Sequence, residues 1–135
     1  MAETKPKAKI LFLDDDTFIV NVYSLKFTAE NYEFHAATSV QEALTLLRNG
    51  FVPDIIICDL VMAQTSGFDF LQEIRTEHLA PDAYRIVLTN QSEELDKVQA
   101  EQLGANRYIV KVSMIPEEVV EIVDQVVAHR KIEKK

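Results

Sequence analysis

The sequence predicts an α/β protein built on one doubly wound, five-stranded parallel sheet with five helices. Three observations carry that prediction. Five short apolar runs, KILFLD (9–14), YEFHAA (32–37), PDIIICD (53–59), YRIVLT (84–89) and NRYIV (106–110), alternate with segments of helical spacing. The run Ile55-Ile56-Ile57-Cys58 is continuously apolar rather than alternating, as a strand covered on both faces should be. The length, 135 residues, suits a single domain that folds without a disulfide or metal staple.

The helices follow in order. The first is expected from about Thr17 to Glu30, with Phe18, Val22, Leu25 and Ala29 as its inward stripe. Ser39 opens the second, and Glu42 three residues later completes a capping-box pattern. Asn49-Gly50 supplies its stop. The third starts near Ser66-Gly67 and shows Phe68, Leu71 and Ile74 on one face. The fourth, EELDKVQAEQLG, is more polar and ends at Gly104. The fifth opens on Pro116, has Glu117 and Glu118 in its first turn and His129, Arg130 and Lys131 near its end, an order that suits the helix dipole. Its valines (Val119, Val120, Val123, Val126, Val127) are expected in the core. Residues 1–8 read as a polar lead-in, 9–130 as the domain and 131–135 as a charged tail.

Charge and cysteine usage exclude several classes. Fourteen basic against 22 acidic residues give a net charge of −8, which argues against direct nucleic-acid binding. No apolar run approaches a membrane span, and MAETKPKAK lacks a signal core. The lone Cys58 excludes an internal disulfide, and the chain reads as cytoplasmic. Cys58 is expected to be a buried thiol that points away from the neighbouring Asp59. His35, His78 and His129 fall on separate elements without metal spacing, as surface or edge residues.

In open parallel sheets, function gathers outside the carboxyl ends of the strands. There the first strand ends in Asp14-Asp15-Asp16, the third in Asp59 and the fourth in Thr89, and Lys111 lies just past the fifth. A lone Asp at a strand end reads as a helix cap; four agreeing strand ends do not. Several gathered carboxylates are costly without a cation. A hard divalent metal held by oxygens resolves that cost.

The chain from about residue 8 to 130 resembles the receiver domain of bacterial two-component response regulators. The segments that carry the resemblance are LFLDDDTF, PDIIICDLVMAQTSGFDFLQEIR, RIVLTNQ and GANRYIVKV. It implies a flavodoxin-like (βα)5 fold with strand order 2-1-3-4-5. It implies that Asp59 accepts a phosphoryl group with Mg2+ as cofactor. Asp15 and Asp59 would be direct metal ligands, Asp14 a ligand through water and the Val61 backbone carbonyl a further one. Asp16 would be a secondary acidic member that begins the first helix. Lys111 would pair with Asp59 before phosphorylation and with a phosphoryl oxygen after it, and Thr89 would donate a hydroxyl. Thr89 and Tyr108 would form the switch that repacks the face of helix 4, strand 5 and helix 5. The implied partners are a sensor histidine kinase or histidine phosphotransfer protein and a downstream protein on that face; a homodimer through helices 4 and 5 is a further expectation. Catalysis is limited to the domain's own phosphoryl transfer and dephosphorylation. The output is open: contacts, onward transfer of phosphate, or service as the receiver of a larger regulator.

Departures from the family pattern carry expectations of their own. Met62-Ala63-Gln64 replaces a Pro-Gly turn, so that loop is less preset. Asn90 is larger than the usual small residue and narrows access for the phosphodonor. Val112 replaces a proline that follows the lysine in a cis peptide. Because a non-proline cis bond costs about 3 kcal/mol, a trans bond and a shifted path for Lys111 are expected. Val61 and Gln91 flank the phosphoryl position, and an apolar Val61 cannot orient water, which points to a long-lived phosphorylated state.

Two other readings compete. One is a phosphorylation-independent receiver-like interaction module, to which the changes at Ala63, Asn90 and Val112 give some weight. The other is an aspartate-nucleophile phosphohydrolase of the haloacid dehalogenase type, whose nucleophile would be Asp14; Phe18 does not fit its motif.

Overall fold

The computed structural model describes residues 5–133. Residues 1–4 of the expected lead-in and 134–135 of the expected tail lie outside the described residues. The strands are β1 (Lys9–Leu13), β2 (Glu33–Ala37), β3 (Ile55–Cys58), β4 (Tyr84–Thr89) and β5 (Arg107–Val110). The helices are α1 (Thr17–Ala29), α2 (Val40–Arg48), α3 (Gly67–Thr76), α4 (Glu94–Gln102) and α5 (Pro116–Glu133), with a 3-10 turn at Lys111–Ser113. All strand pairs are parallel and the order is β2-β1-β3-β4-β5, as expected.

Alternate residues of the buried strands feed two separate cores. Ile10, Phe12, Ile55, Ile57, Ile86 and Leu88 pack with α1 and α5 on one face. Leu11, Leu13, Ile56, Cys58 and Val87 pack with α2 and α3 on the other. That is why β3 needs an unbroken apolar run: both of its faces are covered. Cys58 sits in the second core, fully buried, and its thiol is pushed up to about 12 by desolvation first and by Asp59 second. The valines of α5 enter the first core, with Val126 partly buried at its margin.

Helix starts follow the caps. Asp16 accepts from the Phe18 and Ile19 N–H groups, Ser39 from Glu42 and Ser66 from Asp69. Glu42 also accepts from the Thr38 N–H, which brings α2 close to the expected capping box.

Three expectations are corrected. The inward face of α1 is Val20, Tyr23 and Phe27, whereas Phe18 is 71% and Leu25 74% exposed. Two apolar stripes compete on this helix. The aromatic one wins because Tyr23 and Phe27 bury more area and stack with Phe12 and Phe34 (centroids 5.0 Å for Phe12–Tyr23 and 5.9 Å for Phe27–Phe34). On α3, Phe70 is fully buried while Phe68 is only half-buried. The expected tail from 131 is instead the last turn of α5, which runs to Glu133.

Candidate functional site at the carboxyl end of the sheet

The strand ends bring Asp14, Asp59, Thr89 and Lys111 together. The register aligns Leu13 with Cys58 and Cys58 with Val87, so Asp14 and Asp59, the next residues, emerge side by side. Their backbones continue the ladder: Asp14 N–H donates to Ala37 and Asp59 N–H to Leu13. Asp14 is 1% and Asp59 6% exposed. Two neighbouring buried carboxylates need a counter-charge. Lys111 supplies it, with Nζ 2.7 Å from Asp14 Oδ2 and 2.9 Å from Asp59 Oδ2.

The Lys111–Asp59 pair is the expected one; the equally close bond to Asp14 was not foreseen. Residue type marks the β1 acids as metal ligands but carries no signal of the ammonium that Asp14 shares with Asp59. The Lys111–Val112 bond is trans, since no cis peptide occurs among the described residues. The 3-10 turn at Lys111–Ser113 still lets the lysine reach both acids.

Electrostatics follow from that geometry. Burial pushes the Asp14 carboxyl above its ordinary value, and the bonds from Lys111 and the Asp16 N–H offset only part of that. Burial would lower Lys111, but its bonds to Asp14 and Asp59 outweigh desolvation and hold it above the ordinary lysine value. Both directions are consistent with one ammonium shared by two acids, of which Asp14 is the deeper.

The other expected residues take distinct positions. Asp15 is exposed and accepts from the Ala63 N–H at 2.8 Å, which ties the β1–α1 loop to the loop after β3. Asp16 caps α1 and donates its N–H to Asp14 Oδ1 at 2.9 Å. Val61 is 54% exposed at the mouth, and its N–H donates to Asp59 Oδ1 at 3.2 Å. Thr89 is fully buried, and its hydroxyl accepts from the Gln91 N–H at 3.3 Å. Tyr108 is half-buried and donates its hydroxyl to the Gln91 carbonyl at 2.7 Å. Gln91 thus joins Thr89 to Tyr108. Asn90 is exposed beside them.

Met62-Ala63-Gln64 does not leave its loop unset. Val61 and Ser66 form an antiparallel bridge, and Gly67 N–H donates to Leu60 at 2.9 Å. A Cβ on Gly67 would lie 2.0 Å from the Asp59 carbonyl oxygen, so only glycine lets the chain return this closely. Gly67 is therefore a positioning residue for Asp59 that its helix-start location alone did not reveal.

The donor set fits a hard divalent cation: the buried carboxylates of Asp14 and Asp59 share one ammonium, and exposed Asp15, the next residue, adds a third carboxylate, which leaves the cluster short of positive charge. In this conformation no three His, Cys, Asp or Glu side chains among the described residues converge tightly enough to hold a metal. Asp15 is engaged by Ala63, and Lys111 occupies the space shared by Asp14 and Asp59.

A family model described as the response regulator receiver domain matches residues 10–124. The response regulator SaeR of Staphylococcus aureus (strain USA300) is 34% identical over 102 residues, which are 76% of this chain and 43% of SaeR. The chain thus spans less than half the length of that curated relative. The crystal structure of a CheY-like receiver domain protein from Methanospirillum hungatei JF-1 superposes with a TM-score of 0.83 at 23% identity, over 96% of this chain and 99% of that one. A response regulator protein from Burkholderia pseudomallei, solved with a phosphorylated aspartic acid, a calcium ion and citrate, superposes at 0.78 with 24% identity, over 93% of this chain and 72% of that one. At these identities the two structures establish the fold. The match of the family model over most of the sequence, together with SaeR, establishes the lineage: the chain belongs to the receiver domain family of two-component response regulators.

Proposed function

We propose that the chain is a phosphoacceptor: Asp59 takes a phosphoryl group from a phosphohistidine donor and the change is read out on the α4–β5–α5 face. The observation that carries this is the bond of Lys111 to both Asp14 and Asp59 at the carboxyl end of the sheet. An ammonium already placed on the acceptor carboxylate is also placed for the oxygens of an arriving phosphoryl group.

In the step, an Asp59 carboxylate oxygen forms a bond to phosphorus while the P–N bond to the donor imidazole breaks, and the imidazole leaves with the bonding electrons. Lys111 moves its contact from the Asp59 carboxylate to a phosphoryl oxygen. Thr89 exchanges its bond with the Gln91 N–H for donation to another phosphoryl oxygen. Because Gln91 also accepts from Tyr108, that exchange reaches the β5 aromatic, which makes Thr89 and Tyr108 the switch.

Asp14, Asp15, Asp59 and the Val61 carbonyl would hold Mg2+, with Asp15 first released from Ala63. When bound, the metal supplies neutralisation of phosphoryl charge. The calcium ion and phosphorylated aspartate of the Burkholderia pseudomallei protein support this assignment. The expected partners are a sensor histidine kinase or histidine phosphotransfer protein upstream and a protein on the α4–β5–α5 face downstream, with function in the cytoplasm.

Intact-mass measurement after treatment with acetyl phosphate and Mg2+ tests the proposal. A gain of one phosphate in the parent and none in Asp59→Asn is expected. A gain that survives Asp59→Asn but not Asp14→Asn would favour the hydrolase reading. No gain in either protein, together with no Mg2+ binding, would leave the phosphorylation-independent module.

A further inference from the structure

At the opposite end of the sheet from the acidic site lies a cavity of about 590 Å³. It opens between the start of β5, the Pro81–Arg85 segment and the second half of α5. Its size falls within the roughly 300–1,000 Å³ of small-molecule sites.

The lining has two parts. Tyr84, Ile122 and Val126 give an apolar wall, and all three belong to or pack on the first core. Arg107, Arg130 and Asn106 give a polar rim of donors. Arg130 donates through both terminal nitrogens to the carbonyls of Asp54 and Asp82, so backbone oxygens hold it in place, and no carboxylate among the described residues pairs with it. Arg107 is exposed, and its guanidinium makes no hydrogen bond or ion pair with the described residues. Asn106 has its side-chain oxygen occupied by the Arg85 N–H at 2.8 Å, which leaves its amide N–H2 to donate. Asp82 and His129 also line the cavity. In a chain of net charge −8, two guanidinium groups with no carboxylate partner among the described residues flank an apolar wall, an arrangement suited to an anion with an apolar body.

We infer that this cavity is a binding site for a small organic anion with an apolar body, such as an aromatic carboxylate. The carboxylate would lie on Arg107 and the Asn106 amide in the field of Arg130, and the ring would rest on Tyr84, Ile122 and Val126. The fixed Arg130 and the packed wall pre-form the site, so little ordering opposes binding. The site is independent of the phosphoacceptor reading and stands whether or not Asp59 is phosphorylated.

The test is an amide-resolved NMR titration of the full chain with 2-naphthoate. 2-Naphthylmethanol, which lacks the charge, and inorganic phosphate, which lacks the apolar body, are run alongside. The expected result is saturable shifts at Tyr84, Arg107, Val126 and their neighbours. Both control ligands should bind at least tenfold more weakly. Arg107→Gln should weaken naphthoate about tenfold, the loss of one charge-assisted contact, and Gln125→Glu, which places a carboxylate on an exposed lining position, should weaken it by repulsion. Acetyl-phosphate labelling of Asp59 should be unchanged in both variants. No saturable binding, equal binding of naphthylmethanol or of phosphate, shifts centred on the groove between α1 and α5, or affinity unchanged in Arg107→Gln would each overturn the inference.

Discussion

Lys111 and Asp14 form an ion pair of 2.7 Å nearly closed to solvent, with side chains 15% and 2% exposed. Lys111 is thus a shared structural counter-ion as well as the partner of Asp59. Removing it would strand two buried carboxylates. Lys111→Met is expected to lower the unfolding free energy in metal-free buffer by about 3 kcal/mol, the usual cost of breaking a buried pair. Added Mg2+ should restore part of the loss by replacing the missing charge. Urea titrations with and without Mg2+ read both effects, and a loss indifferent to Mg2+ would argue that packing of the lysine stem dominates.

Asp14 gives a prediction of opposite sign. Burial raises its carboxyl, so ionisation opposes folding. A folded value above the unfolded one means that this cost is absent at low pH. It appears as pH rises from the ordinary carboxylate value through the raised one, and it is complete at neutrality. Asp14→Asn should therefore be more stable than the parent at pH 7 by about 1 kcal/mol, in line with neutral replacement of buried charge. The difference should narrow as pH falls toward the ordinary carboxylate range. A difference that widens on acidification would reverse the assignment.

Most of the fold was legible in the sequence because strand period and cap chemistry are local signals. The caps at Asp16, Ser39 and Ser66 and the buried run of β3 are examples. The inward face of α1 was not, because Phe18-Val22-Leu25-Ala29 is as regular a stripe as Val20-Tyr23-Phe27. Only the position of Phe12 and Phe34 across the interface selects the second. The site residues were legible through their places at strand ends. What escaped was pairwise: Lys111 with Asp14, Asp15 with Ala63, and Tyr108 with Gln91. Each joins segments far apart in sequence, and residue type does not say which of several donors and acceptors will meet.

Gly67 shows how a steric constraint reaches Asp59, the proposed acceptor. An added Cβ would lie 2.0 Å from the Asp59 carbonyl oxygen, and backbone cannot yield as a flexible side chain can. Gly67→Ala should cost about 2 kcal/mol, within the range for forced overpacking. It should also slow labelling of Asp59 by acetyl phosphate even where the protein remains folded. Unchanged stability and labelling would mean that the loop from Val61 to Ser66 shifts freely.

Tyr108→Phe removes the donor to Gln91. About 1 kcal/mol of stability should be lost, the net worth of one such bond. Amide exchange in the loop between β4 and α4 should accelerate while that of β1 and β3 does not. Acceleration in all strands alike would point to global destabilisation rather than release of the loop.

On the proposed function, the lifetime of the phosphorylated form would turn on Val61. The residue is 54% exposed and its N–H donates to Asp59 Oδ1, so it stands at the mouth beside the Asp59 carboxylate. Hydrolysis of an acyl phosphate requires water aligned with phosphorus, and alignment requires a hydrogen-bond donor or acceptor beside the path. Valine offers neither. Gln91 flanks the site with its backbone tied down, the carbonyl accepting from Tyr108 and the N–H donating to Thr89, so the comparison rests on residue 61. The phosphorylated form should therefore persist, and Val61→Asn should shorten its half-life by roughly tenfold, less than the ~10²–10⁴-fold that a fully positioned proton-transfer group contributes. Decay followed by intact mass after removal of the phosphodonor measures both. Loss within seconds in the parent, or a parent that decays faster than Val61→Asn, would show that the water is aligned by some group other than residue 61.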